Sequence, residues 1–123
     1  MRILAAFLFV ASVAVACGPS VTQACQDYAT AWCNRHYTCE SGSQLDALKN
    51  TFGATATDCV TVKSNAFYLN CAAAQSTCPP GTSYDTGAAE QCVTDYGNVA
   101  TLSCDDVIAE KAPESCSQSK LCH

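Results

Sequence analysis

Past a leading apolar stretch, hydrophobic residues recur with the 3.6-residue period of helices. Val21, Cys25, Tyr28, Trp32 and Cys39 fall on one side of a helix that Ser20 can cap and that runs to about Glu40. This predicts a single inward stripe, with Cys33 on its flank. Ser43 with Asp46 three positions on makes a capping-box-like start for a short second helix lined by Leu45, Leu48 and Phe52 and ended by Gly53. A third helix is expected from Thr57 to about Gln75, with Cys59, Val62, Ala66 and Leu69 inward and Phe67 and Cys71 broadening that side.

Residues 76 to 86 carry Cys78-Pro79-Pro80-Gly81 and read as a loop. Asp85 or Thr86 then caps a fourth helix bearing Cys92 and Tyr96 and ending at Gly97. Ser103 with Asp106 starts a shorter fifth helix with Cys104, Val107 and Ile108, which Pro113 stops; Glu114 to His123 is a tail that Cys116 and Cys122 would tie down. No period-2 run of useful length occurs. The expected fold is all-α, a small disulfide-stapled bundle of four to five helices over residues 21–123.

Ahead of this domain, Met1-Arg2 and an apolar run through Ala16 have the form of a signal peptide over residues 1–16. The run is shorter than the ~20 residues of a membrane-spanning helix. Ala14-Val15-Ala16-Cys17 resembles the lipobox of bacterial lipoproteins, which implies cleavage before Cys17 and its acylation, with residues 17–20 as lipidated N-terminus and linker. Ala14 stands where Leu is most usual in that motif. The same tripeptide is also an A-x-A site for ordinary signal peptidase, so free secretion stays open.

Cysteine arithmetic favours the anchored form. The chain has 11 Cys, and an odd count in an exported protein calls for an explanation. Giving Cys17 to the lipid leaves Cys25, Cys33, Cys39, Cys59, Cys71, Cys78, Cys92, Cys104, Cys116 and Cys122, an even set for five bridges in an oxidising compartment. Ten cysteines allow about 945 pairings, among which spacing does not choose. Bridges between helices are expected. They are also needed: Leu, Ile, Val and Phe number only 14 beyond residue 16, a poor core for a single domain.

The net charge of −5, spread along the chain, excludes the basic face that nucleic acid binding requires and gives no attraction to anionic lipid. The expected partner is therefore membrane lipid, reached through acylated Cys17. No Asn-x-Ser/Thr sequon is present.

A lipobox cysteine followed by Cys25-x7-Cys33-x5-Cys39, Cys59-x11-Cys71, Cys92-x11-Cys104 and Cys116 resembles the small cysteine-rich lipoproteins abundant in myxobacterial genomes. Cys25 to Cys33 (CQDYATAWC) and Gly81-Thr82-Ser83-Tyr84 share their style, while Cys78 and Cys122 look like an added pair, which implies a bridge between these two. The likeness spans nearly the whole chain and implies location and fold class, with no activity attached.

Candidate chemistry is thin. Cys33, His36 and Cys39 could offer three zinc ligands, but no two cysteines lie closer than a Cys-x5-Cys spacing, so disulfides take precedence and no metal or cofactor is expected. The same spacing removes a Cys-x-x-Cys redox motif, and Ser119 stands where a haem-attachment cysteine would be. His36 reads as a solvent-flank residue of the first helix and His123 as a mobile terminal one. Asp105 and Asp106 read as first-turn carboxylates favoured by the helix dipole. Tyr28 and Trp32 read as core, with Tyr37 freer; single glycines at 42, 53, 81, 87 and 97 make no phosphate loop.

These features point to a non-enzymatic cell-envelope lipoprotein, at the outer membrane or cell surface, with a structural or protein-binding role. A freely secreted effector or inhibitor is the first alternative. A hydrolase or metal protein centred on His36 is the second.

Overall fold

The computed structural model describes residues 18–123; the expected signal segment 1–16 and Cys17 lie outside the described residues. Ser20 opens the longest element, its hydroxyl accepting from the Gln23 N–H, and α1 (Val21–Cys39) closes where the Glu40 N–H meets the His36 carbonyl. After it come α2 (Gly42–Phe52), α3 (Ala56–Lys63), a 3-10 turn at Cys71–Thr77, α4 (Thr86–Gly97), α5 (Cys104–Ile108), a second 3-10 turn at Glu114–Cys116 and α6 (Gln118–Leu121). The fold is a small, disulfide-rich helical one. Among the described residues there is no strand, only one antiparallel bridge between Tyr84 and Cys122.

α1 is the axis of the molecule: α2, α3, α4, α5 and the Cys71–Thr77 turn all pack on it. Being covered on several sides, it buries a different set from the expected stripe. Ala24, Cys25, Ala29, Cys33, Arg35 and His36 are buried, whereas Val21, Tyr28, Trp32 and Cys39 are only half-buried. Small alanines let neighbouring backbones approach, and Cys33, expected on the flank, is fully enclosed. The core is accordingly divided: Cys33, Leu48, Phe52 and Cys59 form one cluster, Cys25, Cys71 and Ala74 another, and Tyr96, Leu102 and Val107 a third.

Three helices depart from the sequence pattern at their boundaries, and α5 does so by ending at Ile108, ahead of the expected stop at Pro113, with Glu110 at φ +55°. Gly42, at φ +56°, turns the chain within two residues of α1, so α2 begins before the Ser43–Asp46 pair and that pair caps nothing. The third helix starts earlier and ends much earlier than the expected 57–75. Thr55 and Asp58 form the capping box, with the Asp58 N–H on the Thr55 hydroxyl at 3.1 Å and the Thr55 N–H on the Asp58 carboxylate at 3.0 Å.

α3 stops at Lys63 because two asparagines turn the chain. The Asn65 side-chain oxygen accepts from the Phe67 N–H at 2.9 Å, its carbonyl accepts from the Asn70 N–H at 2.8 Å, and Asn70 sits at φ +50°. This reversal carries Cys71 back to α1. It also turns outward two residues expected to face inward, Ala66 and Phe67, the latter 88 % exposed.

All ten described cysteines pair: Cys25–Cys71, Cys33–Cys59, Cys39–Cys104, Cys78–Cys122 and Cys92–Cys116. Three of the five leave α1. Their sequence separations run from 24 to 65 residues, each worth about 3.5 to 4.3 kcal/mol of unfolded-state entropy in the chain-entropy model. The expected tail is ordered by the same means: it holds the second 3-10 turn and α6, neither with a buried residue, and both are tied down through Cys116 and Cys122.

Candidate binding cleft

Trp32 and His36 on α1 and Glu40, which caps its C-terminus, succeed one another at four-residue spacing, so their side chains line one edge of the helix. His36 is not on a solvent flank. It is 3 % exposed, with the indole of Trp32 stacked on it at 3.9 Å between centroids. Its Nδ1 lies 2.5 Å from a Glu40 carboxylate oxygen and its Nε2 lies 3.3 Å from the Tyr96 hydroxyl. A carboxylate only accepts, so Nδ1 donates to Glu40, and Nε2 pairs with the Tyr96 hydroxyl. Burial, more than any neighbouring charge, pushes the Tyr96 phenol well above its ordinary range, so it keeps its proton.

Both ring nitrogens of His36 are thus engaged, and Cys33 and Cys39 are bound to Cys59 and Cys104. Among the described residues no three His, Cys, Asp or Glu side chains gather as a metal site. Nearby, the Arg35 guanidinium is buried and donates to the Leu102 carbonyl, which fastens the loop before α5 to α1.

The last residue of α3 completes the edge that Trp32 begins. Lys63 Nζ lies 3.7 Å from the Trp32 ring centroid, 5.3 Å from that of Phe52 and 5.9 Å from that of Tyr68. Phe52 meets both other rings, edge-on to Trp32 at 5.3 Å and tilted to Tyr68 at 5.0 Å. The ammonium is therefore surrounded by three aromatic rings. Desolvation by that setting lowers the Lys63 pKa, and the carboxylate of Glu110 works in the opposite direction.

Two hollows open beside this cluster. One of about 410 Å³ reaches along α2, and one of about 220 Å³ reaches toward Tyr28 and Tyr96; Trp32, Lys63 and Glu110 belong to the walls of both. A larger groove of about 620 Å³ between α1 and α4 is lined mainly by small and polar side chains and gathers no comparable set of groups.

The other expected residues are scattered. The Tyr37 hydroxyl donates to the Gly53 carbonyl at 2.6 Å and helps close the turn after α2. Asp106 completes the α5 capping box with Ser103, and Asp105 stands in the same first turn. His123 is not loose: its Nε2 lies 2.9 Å from the Asp85 carboxylate that caps α4, and its backbone exchanges hydrogen bonds with Ser83. Tyr28 packs edge-on against Tyr96 at 5.6 Å. Lys63 and Glu110 carry no local sequence signal and come to Trp32 only through the fold.

No family model, curated protein or solved structure matches this chain.

Proposed function

We propose that this chain is an exported cell-envelope protein, held on the membrane by an acylated Cys17, whose helical domain has a structural or protein-binding role. The observation that carries the reading is the complete pairing of the ten described cysteines, which leaves Cys17 as the odd one. Five bridges belong to an oxidising compartment, as an exported domain requires. No helix among the described residues is long and apolar enough to cross a membrane, and the acidic chain has no attraction to anionic lipid, so acyl chains would supply the attachment. The likeness in cysteine spacing to myxobacterial lipoproteins points the same way.

The test is incorporation of radiolabelled palmitate, with Cys17→Ser and globomycin as controls. Label in the wild type, its loss in Cys17→Ser and accumulation of an unprocessed precursor with globomycin are expected. Unlabelled wild type with most of the protein in cell-free medium would establish the freely secreted alternative.

A further inference from the structure

A lysine packed against three rings is usually read as surface packing, but the surroundings of Lys63 ask for a different cation. A primary ammonium carries three N–H donors and is strongly hydrated. Among the described residues, Lys63 Nζ has neither a hydrogen-bond acceptor nor an ion-pair partner; it lies over the faces of Trp32, Phe52 and Tyr68, with the Glu110 charge farther off and its donors left to water. Three aromatic faces attract positive charge yet satisfy no donor. The head group that matches such a box is one with positive charge and no N–H at all.

Glu110 adds an independent observation. It follows α5 at φ +55°, a left-handed position that costs a side-chain-bearing residue about 1 to 2 kcal/mol and that glycine or asparagine fills more cheaply. A glutamate there delivers a carboxylate to the rim of both hollows. Backbone strain of this kind is more often kept where the side chain has a task. The hollow of about 410 Å³, walled by Trp32, Phe52, Lys63 and Glu110 while Tyr68 stands behind Lys63 outside it, falls within the range of small-ligand sites.

We propose that Trp32, Phe52 and Tyr68, with Glu110 at the rim, form a receptor for a quaternary ammonium head group of the choline type, and that Lys63 is the internal cation the ligand displaces. Lys63 has a flexible four-carbon stem and ends α3 at the surface, so it can swing into water without unfolding a helix. The ligand gains the aromatic faces and the Glu110 carboxylate, and the displaced ammonium recovers its hydration. This inference is independent of how the domain reaches the envelope.

Trp32 is the one tryptophan of the chain, so its fluorescence reports the site directly. Choline chloride is titrated into the purified, fully oxidised protein at constant ionic strength, beside the neutral isostere 3,3-dimethylbutan-1-ol. Saturable quenching by choline is expected, about tenfold tighter in Lys63→Ala, where the competing cation is gone. Binding about tenfold weaker is expected when Trp32→Leu is added to that variant and the titration is followed by NMR. Lys63→Gln, which keeps most of the stem, serves should Lys63→Ala fail to form its five bridges. The proposal is overturned if the neutral alcohol binds as well as choline, or if an oxidised, folded Lys63 variant shows no saturable response.

Discussion

α2 and the C-terminal segment lie at opposite extremes of how a helix is held in this molecule. α2 has no cysteine and is retained by Leu48 and Phe52, both buried against α1 and α3. The second 3-10 turn and α6 bury no residue and are retained by Cys92–Cys116, Cys78–Cys122 and the contact of His123 with Asp85. Covalent links thus stand in for apolar burial where the sequence supplies too few large side chains. The two devices act on different states: burial stabilises the native chain, whereas a bridge chiefly restricts the unfolded one. The proposed cation site belongs to the region held by burial, because Phe52 is both an anchor of α2 and one of its three rings.

The largest test of that contrast is Phe52→Ala. Removing a nearly buried ring from the Leu48 cluster is expected to cost about 3 to 5 kcal/mol, measured by urea unfolding with the bridges intact. Hydrogen exchange should quicken in α2 while α6 is unchanged; equal losses in both would show that the regions are not held separately.

Replacing Cys78 and Cys122 together by serine is expected to cost about 2 to 4 kcal/mol. Here the amides of Ser83 and His123, which bond each other's carbonyls, should lose protection first, and α2 should keep its own. A double variant as stable as the wild type would mean that the tail docks without its bridge.

The smallest effect concerns α5, which combines a bridge at Cys104, a buried Val107 and a polar cap. Hydrogen bonds from Lys111 first, then from the Ser103 hydroxyl and N–H, hold the Asp106 carboxyl down at about 2. A depressed folded pKa means the cap contributes fully above the ordinary carboxylate range near pH 4 and is lost as pH falls through about 2. An NMR titration of Asp106 checks this; a midpoint near 4 would show the carboxyl free of its partners.

The same division explains what the sequence disclosed. Local signals were readable: Ser20, Asp85 and the Ser103–Asp106 box start their helices, and Gly53 and Gly97 stand at helix ends. The third helix misled because Val62, Ala66 and Leu69 keep helical spacing through a turn made by Asn65 and Asn70, and side-chain hydrogen bonds outweigh weak helix propensity there. His36 misled for another reason. Its neighbours Trp32 and Glu40 are visible at four-residue spacing, but its burial depends on Tyr96, sixty residues away. The cleft was least legible, since Lys63 and Glu110 reach Trp32 only after three helices and a crossing bridge have assembled.

The order of the bridges has a consequence for biogenesis. Cys25–Cys71, Cys33–Cys59, Cys39–Cys104, Cys78–Cys122 and Cys92–Cys116 each pass over at least one other cysteine. A chain threaded outward from its N-terminus and oxidised thiol by thiol as it emerges would join neighbours, and every such bond would be wrong. On the proposed export route the native set would then be reached by exchange among disulfides, so isomerisation as well as oxidation would govern its formation.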